Sequence, residues 1–133
     1  MPGRLTISAL GALALLAPGA ALAHHSFAAF FDSANTIKVT GKVIDFRFTN
    51  PHGSIGIEVT GADGKVTEWR AETNAPVVLM RRGWTRTSLK PGDIVTLEGW
   101  GSRDGKHYIR LRQALDASGK PIGASPFGQQ DEK

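Results

Sequence analysis

The sequence predicts a mainly β domain: a small five-stranded barrel with one short helix between strands 3 and 4. Three observations predict it. From Thr36 onward polar and apolar residues alternate at the period of two that a strand imposes. Two Asp-Gly pairs, Asp63-Gly64 and Asp104-Gly105, separate such runs as hairpin turns do. One stretch, Pro76-Val77-Val78-Leu79-Met80, breaks the alternation with an apolar run opened by a proline, which suits a first helical turn.

The elements follow in order. Met1 to Arg4 is a short segment with one positive charge, and Leu5 to Leu22 is apolar or small apart from Thr6 and Ser8. Ala21-Leu22-Ala23 has the small-x-small form that signal peptidase reads, so residues 1–23 are expected to be a cleaved signal peptide that leaves His24 first. Pro18 and Gly19 interrupt the run short of the roughly 20 apolar residues a membrane span needs. The expected location is therefore periplasmic or secreted, with no stable membrane insertion after cleavage.

Residues 24–35 read as an N-terminal segment docking on the barrel. Phe27, Phe30 and Phe31 are spaced i, i+3, i+4 and would share one face of a helical turn. The β domain proper is expected over 36–116. Its first strand is long: Ile37, Val39 and Val43 are odd-numbered, whereas Ile44, Phe46 and Phe48 are even. A one-residue slip near Gly41 is what a bulge or bend produces. Thr49-Asn50-Pro51-His52-Gly53 is a turn. Ile55, Ile57 and Val59 mark the second strand, and Asp63-Gly64 turns into the third, Val66 to Glu72, with Trp69 and Ala71 inward. That pair is expected in a type I′ turn.

Asn74 or Thr73 is the expected cap of the helix, placed near residues 75–82, and Gly83 ends it. The fourth strand runs from Ile94 to Trp100 with Val95, Leu97 and Gly99 on one side. The fifth runs from His107 to Leu115, with Ile109 and Leu111 on one side and Tyr108, Arg110 and Arg112 on the other. Residues 117–133 are polar, rich in Gly and Pro, and expected to be a flexible tail. Five strands with a helix between the third and fourth is the element order of an OB-fold, a small partly open barrel.

Composition narrows the function classes. The chain has no cysteine, which excludes disulfides, thiolate metal sites and a cysteine-linked lipid anchor. With 133 residues less 23 in the leader, 110 remain, enough for one domain. Of 16 Lys and Arg, Arg4 belongs to the leader, so 15 face 12 Asp and Glu, a balance of +3. Basic residues group at Arg81, Arg82, Arg86 and Lys90, and at Arg103, Lys106, Arg110 and Arg112. Acidic residues are interspersed: Glu58, Glu68 and Glu72 precede the first group, Glu98 lies between the two and Asp104 within the second. An exported chain with so mixed a surface is not expected to bind nucleic acid.

The segments "AHHSFAAFFD", "GKVIDFRFTNPHGSIGIEV", "LMRRGWTRTSLKPGD" and "VTLEGW" resemble the DUF6152 family, small exported bacterial proteins of unknown function. The resemblance covers about residues 22 to 116. It implies export and the domain boundary, and it supplies no catalytic residue.

Two binding chemistries can be read from the residues. A free His24 offers its α-amine and ring nitrogen as one chelate, and Cu(II) favours such nitrogen donors in tetragonal geometry. His52, in a turn between two strands, is the candidate third nitrogen, with His25 as its rival; the arrangement resembles the histidine brace of copper monooxygenases. Copper is the candidate cofactor. The alternative is a metal-free module that uses Asn50, Arg82, Trp84, Tyr108 and Arg110 as an aromatic and arginine surface for a small ligand such as a small anion, an oligosaccharide or an exported protein partner. Against that surface, Trp84 could instead plug the barrel end. No G-x-S-x-G elbow, H-E-x-x-H helix or phosphate-cradling glycine loop is present, so binding is expected rather than catalysis.

Overall fold

A computed structural model describes residues 27–124 and Phe127. His24 and His25, the leader expected over 1–23 and residues 128–133 lie outside the described residues. The order is α1 (Phe27–Phe30), β1 (Phe31–Arg47), β2 (Ser54–Thr60), β3 (Val66–Glu72), α2 (Pro76–Arg81), β4 (Ile94–Ser102) and β5 (Tyr108–Leu115). The strands close into a ring in the order β1-β2-β3-β5-β4, with β4 returning to β1. Only β3 and β5 pair parallel among the described strands, and α2 lies on the connection that leads out of β3. This is the OB-like architecture that the element order predicts.

β1 serves two partners because it is long and bent. Its first half pairs with β4 through Thr36↔Trp100 to Lys42↔Ile94, and its second half with β2 through Lys42↔Glu58 to Arg47↔Ser54. The slip seen in the sequence is a register shift between Val43 and Asp45. Ile44 is the extra residue and faces outward, 36% exposed, rather than continuing the inner row. Val43 before it and Phe48 after it are buried. The strand also begins at Phe31, earlier than the expected Thr36.

The β2–β3 turn differs from the expected type I′. Gly64 has φ 79°, but no non-glycine residue has positive φ among those described, so Asp63 cannot occupy the second left-handed position. The Gly64 N–H donates to the Gly61 carbonyl at 2.9 Å and the Gly61 N–H to the Lys65 carbonyl at 2.8 Å. This is the longer hairpin in which a type I turn is followed by a left-handed glycine. Asp63 Oδ1 accepts from the Lys65 N–H instead.

Val43, Ile55, Ile57, Ala71, Val95, Leu97, Ile109 and Leu111 fill the interior, all at 2% exposure or less. Leu79 of α2, Trp84 and Leu89 extend that cluster. The cap of α2 is Ala75, with no side-chain hydrogen bond, and not Asn74 or Thr73. The Thr73 hydroxyl donates to the Asn74 carbonyl, and the backbone of both residues is bonded to Gly53. After Gly83 the Trp84 N–H returns to the Leu79 carbonyl at 3.0 Å, which turns the indole inward.

The tail corrects another expectation. Ile122 packs on the core, Pro121 bridges to Leu115, and Phe127 is 1% exposed with its N–H on the Arg112 carbonyl at 2.8 Å. Within the described residues the segment after Asp116 is a fastened strap. Its apolar anchors are few among many polar residues, and composition alone conceals them.

Candidate functional site

The turn after β1 builds the site. The Gly53 N–H donates to the Asn74 carbonyl at 3.3 Å and the Thr73 N–H to the Gly53 carbonyl at 2.9 Å, which pins the turn to the end of β3. A Cβ at Gly53 would lie 2.5 Å from the Arg47 carbonyl oxygen and 2.6 Å from Thr73 Oγ1, so only glycine permits this approach. The Asn50-Pro51 peptide is cis. Ser54 pairs with Glu72, so the turn places His52 beside the carboxylate that closes β3.

His52 Nδ1 lies 2.9 Å from Glu72 Oε1. An ionised carboxylate only accepts, so Nδ1 carries the proton, and in the neutral ring Nε2 holds the lone pair. The Tyr108 hydroxyl donates to the other oxygen, Glu72 Oε2, at 2.9 Å. Glu72 thus ties a histidine from the β1–β2 turn to a tyrosine from β5. Burial, followed by the negative charge of Glu72, pushes the Tyr108 hydroxyl up to about 12.

These residues line a cleft of about 500 Å³ whose walls include Phe27, Phe30, Pro51 and, at the rim, Lys106 and Asp104. Its volume lies within the range of small-ligand pockets. At the rim the Lys106 ammonium, 2.8 Å from Asp104 Oδ2, leads the effects that hold the Asp104 carboxyl down at about 2; the Ser102 hydroxyl, donating to Oδ1, adds to it.

The N-terminal segment covers the outer side of β5. Phe31 stacks on Tyr108 with ring centroids 5.5 Å apart, and the Phe27 ring lies 5.4 Å from that of His52 and 4.0 Å from Arg110 Cζ. Phe30 does not join them as its spacing suggests: it is 59% exposed. The four-residue helix is followed directly by a strand, so the helical period ends before it aligns three rings.

The five residues expected to share a ligand surface do not form one. Tyr108 faces the cleft with His52. Arg110 is 1% exposed beneath Phe27, and its Nη1 donates to the Thr73 carbonyl at 2.5 Å. Trp84 is 1% exposed and packs against Phe46 and Phe127 at 5.8 and 6.4 Å, with Arg82 over Phe127 at 5.6 Å. Asn50 lines a separate hollow that Trp84 also borders, together with Val77, Met80 and Arg86, so these two of the five meet there, away from Tyr108 and Arg110. Strand alternation puts Tyr108 and Arg110 on one face, as expected, but it does not reveal that a preceding segment covers that face.

Among the described residues no three His, Asp or Glu side chains gather closely enough to hold a metal ion by themselves. Sequence reasoning also missed Glu72. Its signal lay in the hairpin: counting back from the Asp63-Gly64 turn pairs Ser54 with Glu72, and His52 is two residues before Ser54.

The family model described as "Family of unknown function (DUF6152)" matches residues 12–110. The chain belongs to the DUF6152 family. The match reaches from before the described residues to Arg110, so His52, Glu72 and Tyr108 of this DUF6152 member all lie within it. No curated protein matches the chain. Among solved structures, this DUF6152 domain is similar to TiaS in its complex with an isoleucine tRNA and ATP, at 17% identity and TM-score 0.43, over 65% of this chain and 19% of that one. A ZRD-deleted mutant of TiaS in complex with agmatine gives 16% and 0.42, over 71% and 23%. The small single-stranded DNA-binding protein from Streptomyces coelicolor gives 18% and 0.40, over 61% and 89%. The chain thus spans about a fifth of TiaS, and likenesses at these TM-scores carry no argument about its function. Among the described residues no helix is long and apolar enough to cross a membrane.

Proposed function

We propose that this DUF6152 member is an exported binding domain that takes Cu(II) at the His52 cleft, through His52 Nε2 and the α-amine and ring of His24. One observation carries the reading: His52 Nδ1 is held by Glu72 at 2.9 Å in a cleft whose wall is the N-terminal segment itself. Metal-ligating histidines characteristically donate their other ring N–H to a carboxylate, which fixes the tautomer and orients the ring. Tyr108 on the second oxygen of Glu72 holds that carboxylate in turn.

Connectivity supports the partner. His24 precedes Phe27 by three residues, at most about 11 Å of extended chain, and the Phe27 ring is 5.4 Å from that of His52. An α-amine titrates near 8, so a neutral amine is accessible at mild pH. His25 would compete for the same role, but adjacent side chains of an extended chain point apart. The bound ion would supply a tetragonal nitrogen site. Export rests on the Ala21-Leu22-Ala23 pattern, which makes His24 the first residue.

The cleft's apolar walls favour one second reading, in which a small organic ligand occupies it without metal and bonds to Tyr108. Calorimetric titration with Cu(II) separates the two. The processed protein should bind one ion, a form carrying one extra N-terminal residue should bind at least about tenfold more weakly, a loss of about 1.4 kcal/mol, and His52→Ala should also lose affinity. Equal affinity in all three forms, or none in any, defeats the copper reading.

A further inference from the structure

A second hollow, of about 580 Å³, lies between the end of β1 and the α2 segment and shares no lining residue with the His52 cleft. Its size also suits a small ligand. Phe48 and Trp84 give it buried apolar surface. Val77 and Met80, three apart on α2, share the helix face that borders it and are 48% and 56% exposed, whereas Leu79 is buried in the core. The polar residues of the lining are otherwise neutral, so among the described residues Arg86 supplies its one charge. Arg86 is held in place. Its Nη1 donates to the Phe48 carbonyl at 3.2 Å, and its guanidinium lies over the Phe48 ring, 5.4 Å from the centroid. A guanidinium has five N–H donors, so fastening it through one leaves others for a ligand. No counter-charge accompanies it. From Thr73 to Gly92 the chain holds Arg81, Arg82, Arg86 and Lys90 and no Asp or Glu. Elsewhere on the barrel cations meet carboxylates, as in Lys38–Glu98 at 3.7 Å, Lys42–Glu58 at 3.6 Å and Lys106–Asp104 at 2.8 Å. Among the described residues no carboxylate forms an ion pair with Arg81, Arg86 or Lys90.

We propose that this hollow binds a small organic anion with an apolar body: Arg86 takes the carboxylate, and Phe48, Val77 and Met80 cover the hydrocarbon. The inference goes beyond the copper reading and uses none of its residues. A planar guanidinium matches a carboxylate through two parallel N–H bonds, and one already fixed on Phe48 loses little freedom in making them. A carboxylate within the segment would compete for that fork, and the segment has none. A cationic ligand would meet Arg81, Arg86 and Lys90 and be repelled. A neutral one would cover the apolar wall and leave the guanidinium without its counter-charge. If Arg86 only braced Phe48, its replacement would change stability and leave the affinity for an anion unaltered.

The test titrates octanoate, octanol, octylamine and acetate into the processed protein, below any micelle concentration, and follows the backbone amides by NMR. Octanoate should bind and shift the amides of Val77, Met80, Thr85 and Arg86 while leaving those of His52 and Glu72 in place. Octanol lacks the charge and acetate lacks the chain, so each should bind at least about tenfold more weakly. Octylamine, cationic at neutral pH, should bind more weakly than octanol. Arg86→Gln should reduce the affinity for octanoate to that for octanol, and Arg86→Lys, which keeps the charge without the fork, should fall between. Met80→Glu sets a negative charge on an exposed position and decides the matter if the Arg86 variants do not fold; it should weaken octanoate by about tenfold. Equal affinity for octanoate and octanol, octanoate shifts confined to the His52 cleft, or no octanoate binding overturns the site. So does wild-type octanoate affinity in folded Arg86→Gln or Met80→Glu. Copper titration at the His52 cleft is unaffected by any of these outcomes.

Discussion

The Tyr108 hydroxyl donates to Glu72 Oε2 at 2.9 Å while His52 Nδ1 lies 2.9 Å from Oε1, so one carboxylate spans a turn and a strand that are 56 residues apart in sequence. Tyr108 is the only tyrosine in the chain, so its ionisation is visible without interference. Absorbance titration should show phenolate forming with a midpoint near 12 rather than the ordinary 10.0. In Glu72→Gln the midpoint should fall but stay above 10.0, because burial is the larger cause. A raised pKa stabilises the fold below pH 10 and loses that contribution as pH rises through about 12. Wild-type stability should therefore decline over that window by a component absent from Tyr108→Phe.

On the same outer face of β3, two residues before Glu72, Arg70 bridges to β1. Its Nη1 and Nη2 donate to Asp45 Oδ1 and Oδ2 at 2.9 and 3.1 Å, and Nη2 also reaches Glu68 Oε1 at 2.9 Å. The hydrogen bonds from Arg70 hold the Asp45 carboxyl below its usual 3.8. Arg70→Lys keeps the charge but loses the fork, and should cost about 1 kcal/mol after allowance for partial solvent exposure. A lowered pKa contributes stability above about pH 4 and loses it as pH falls. The stability gap between wild type and Asp45→Asn, measured by denaturant titration, should close in acid.

Trp84 belongs to the interior, packed on Phe46 and Phe127. Trp84→Ala should cost about 3–5 kcal/mol. If chemical denaturation shows no loss, the indole is not the structural plug its burial indicates.

The same measurement applies to the C-terminal strap. Phe127→Ala should destabilise by about 3 kcal/mol, whereas a freely flexible tail would show no effect.

The strands were legible because each buries one face, so Ile55-Ile57 and Val95-Leu97 announce themselves by alternation. The bulge was legible as a change of parity, but not which residue it expels; Ile44 is apolar and faces outward all the same. His52 was legible by its type and its turn. Its partner Glu72 was not, because a carboxylate at a strand end looks like any solvated one until the register is counted. The covering of Arg110 by Phe27 was hidden for another reason: nothing in local periodicity says which outer face a preceding segment will shield. The strap escaped because Ile122 and Phe127 are isolated apolar residues in a polar run.

In the proposed copper site His52, backed by Glu72, supplies the third nitrogen to an ion held by the processed N-terminus. Electron paramagnetic resonance of the copper-loaded processed protein tests it most directly, with nitrogen hyperfine structure compared between wild type and His52→Ala. Three coordinated nitrogens are expected in wild type and two in the variant, with the imidazole signal of His52 lost. The same spectrum in both proteins would contradict it.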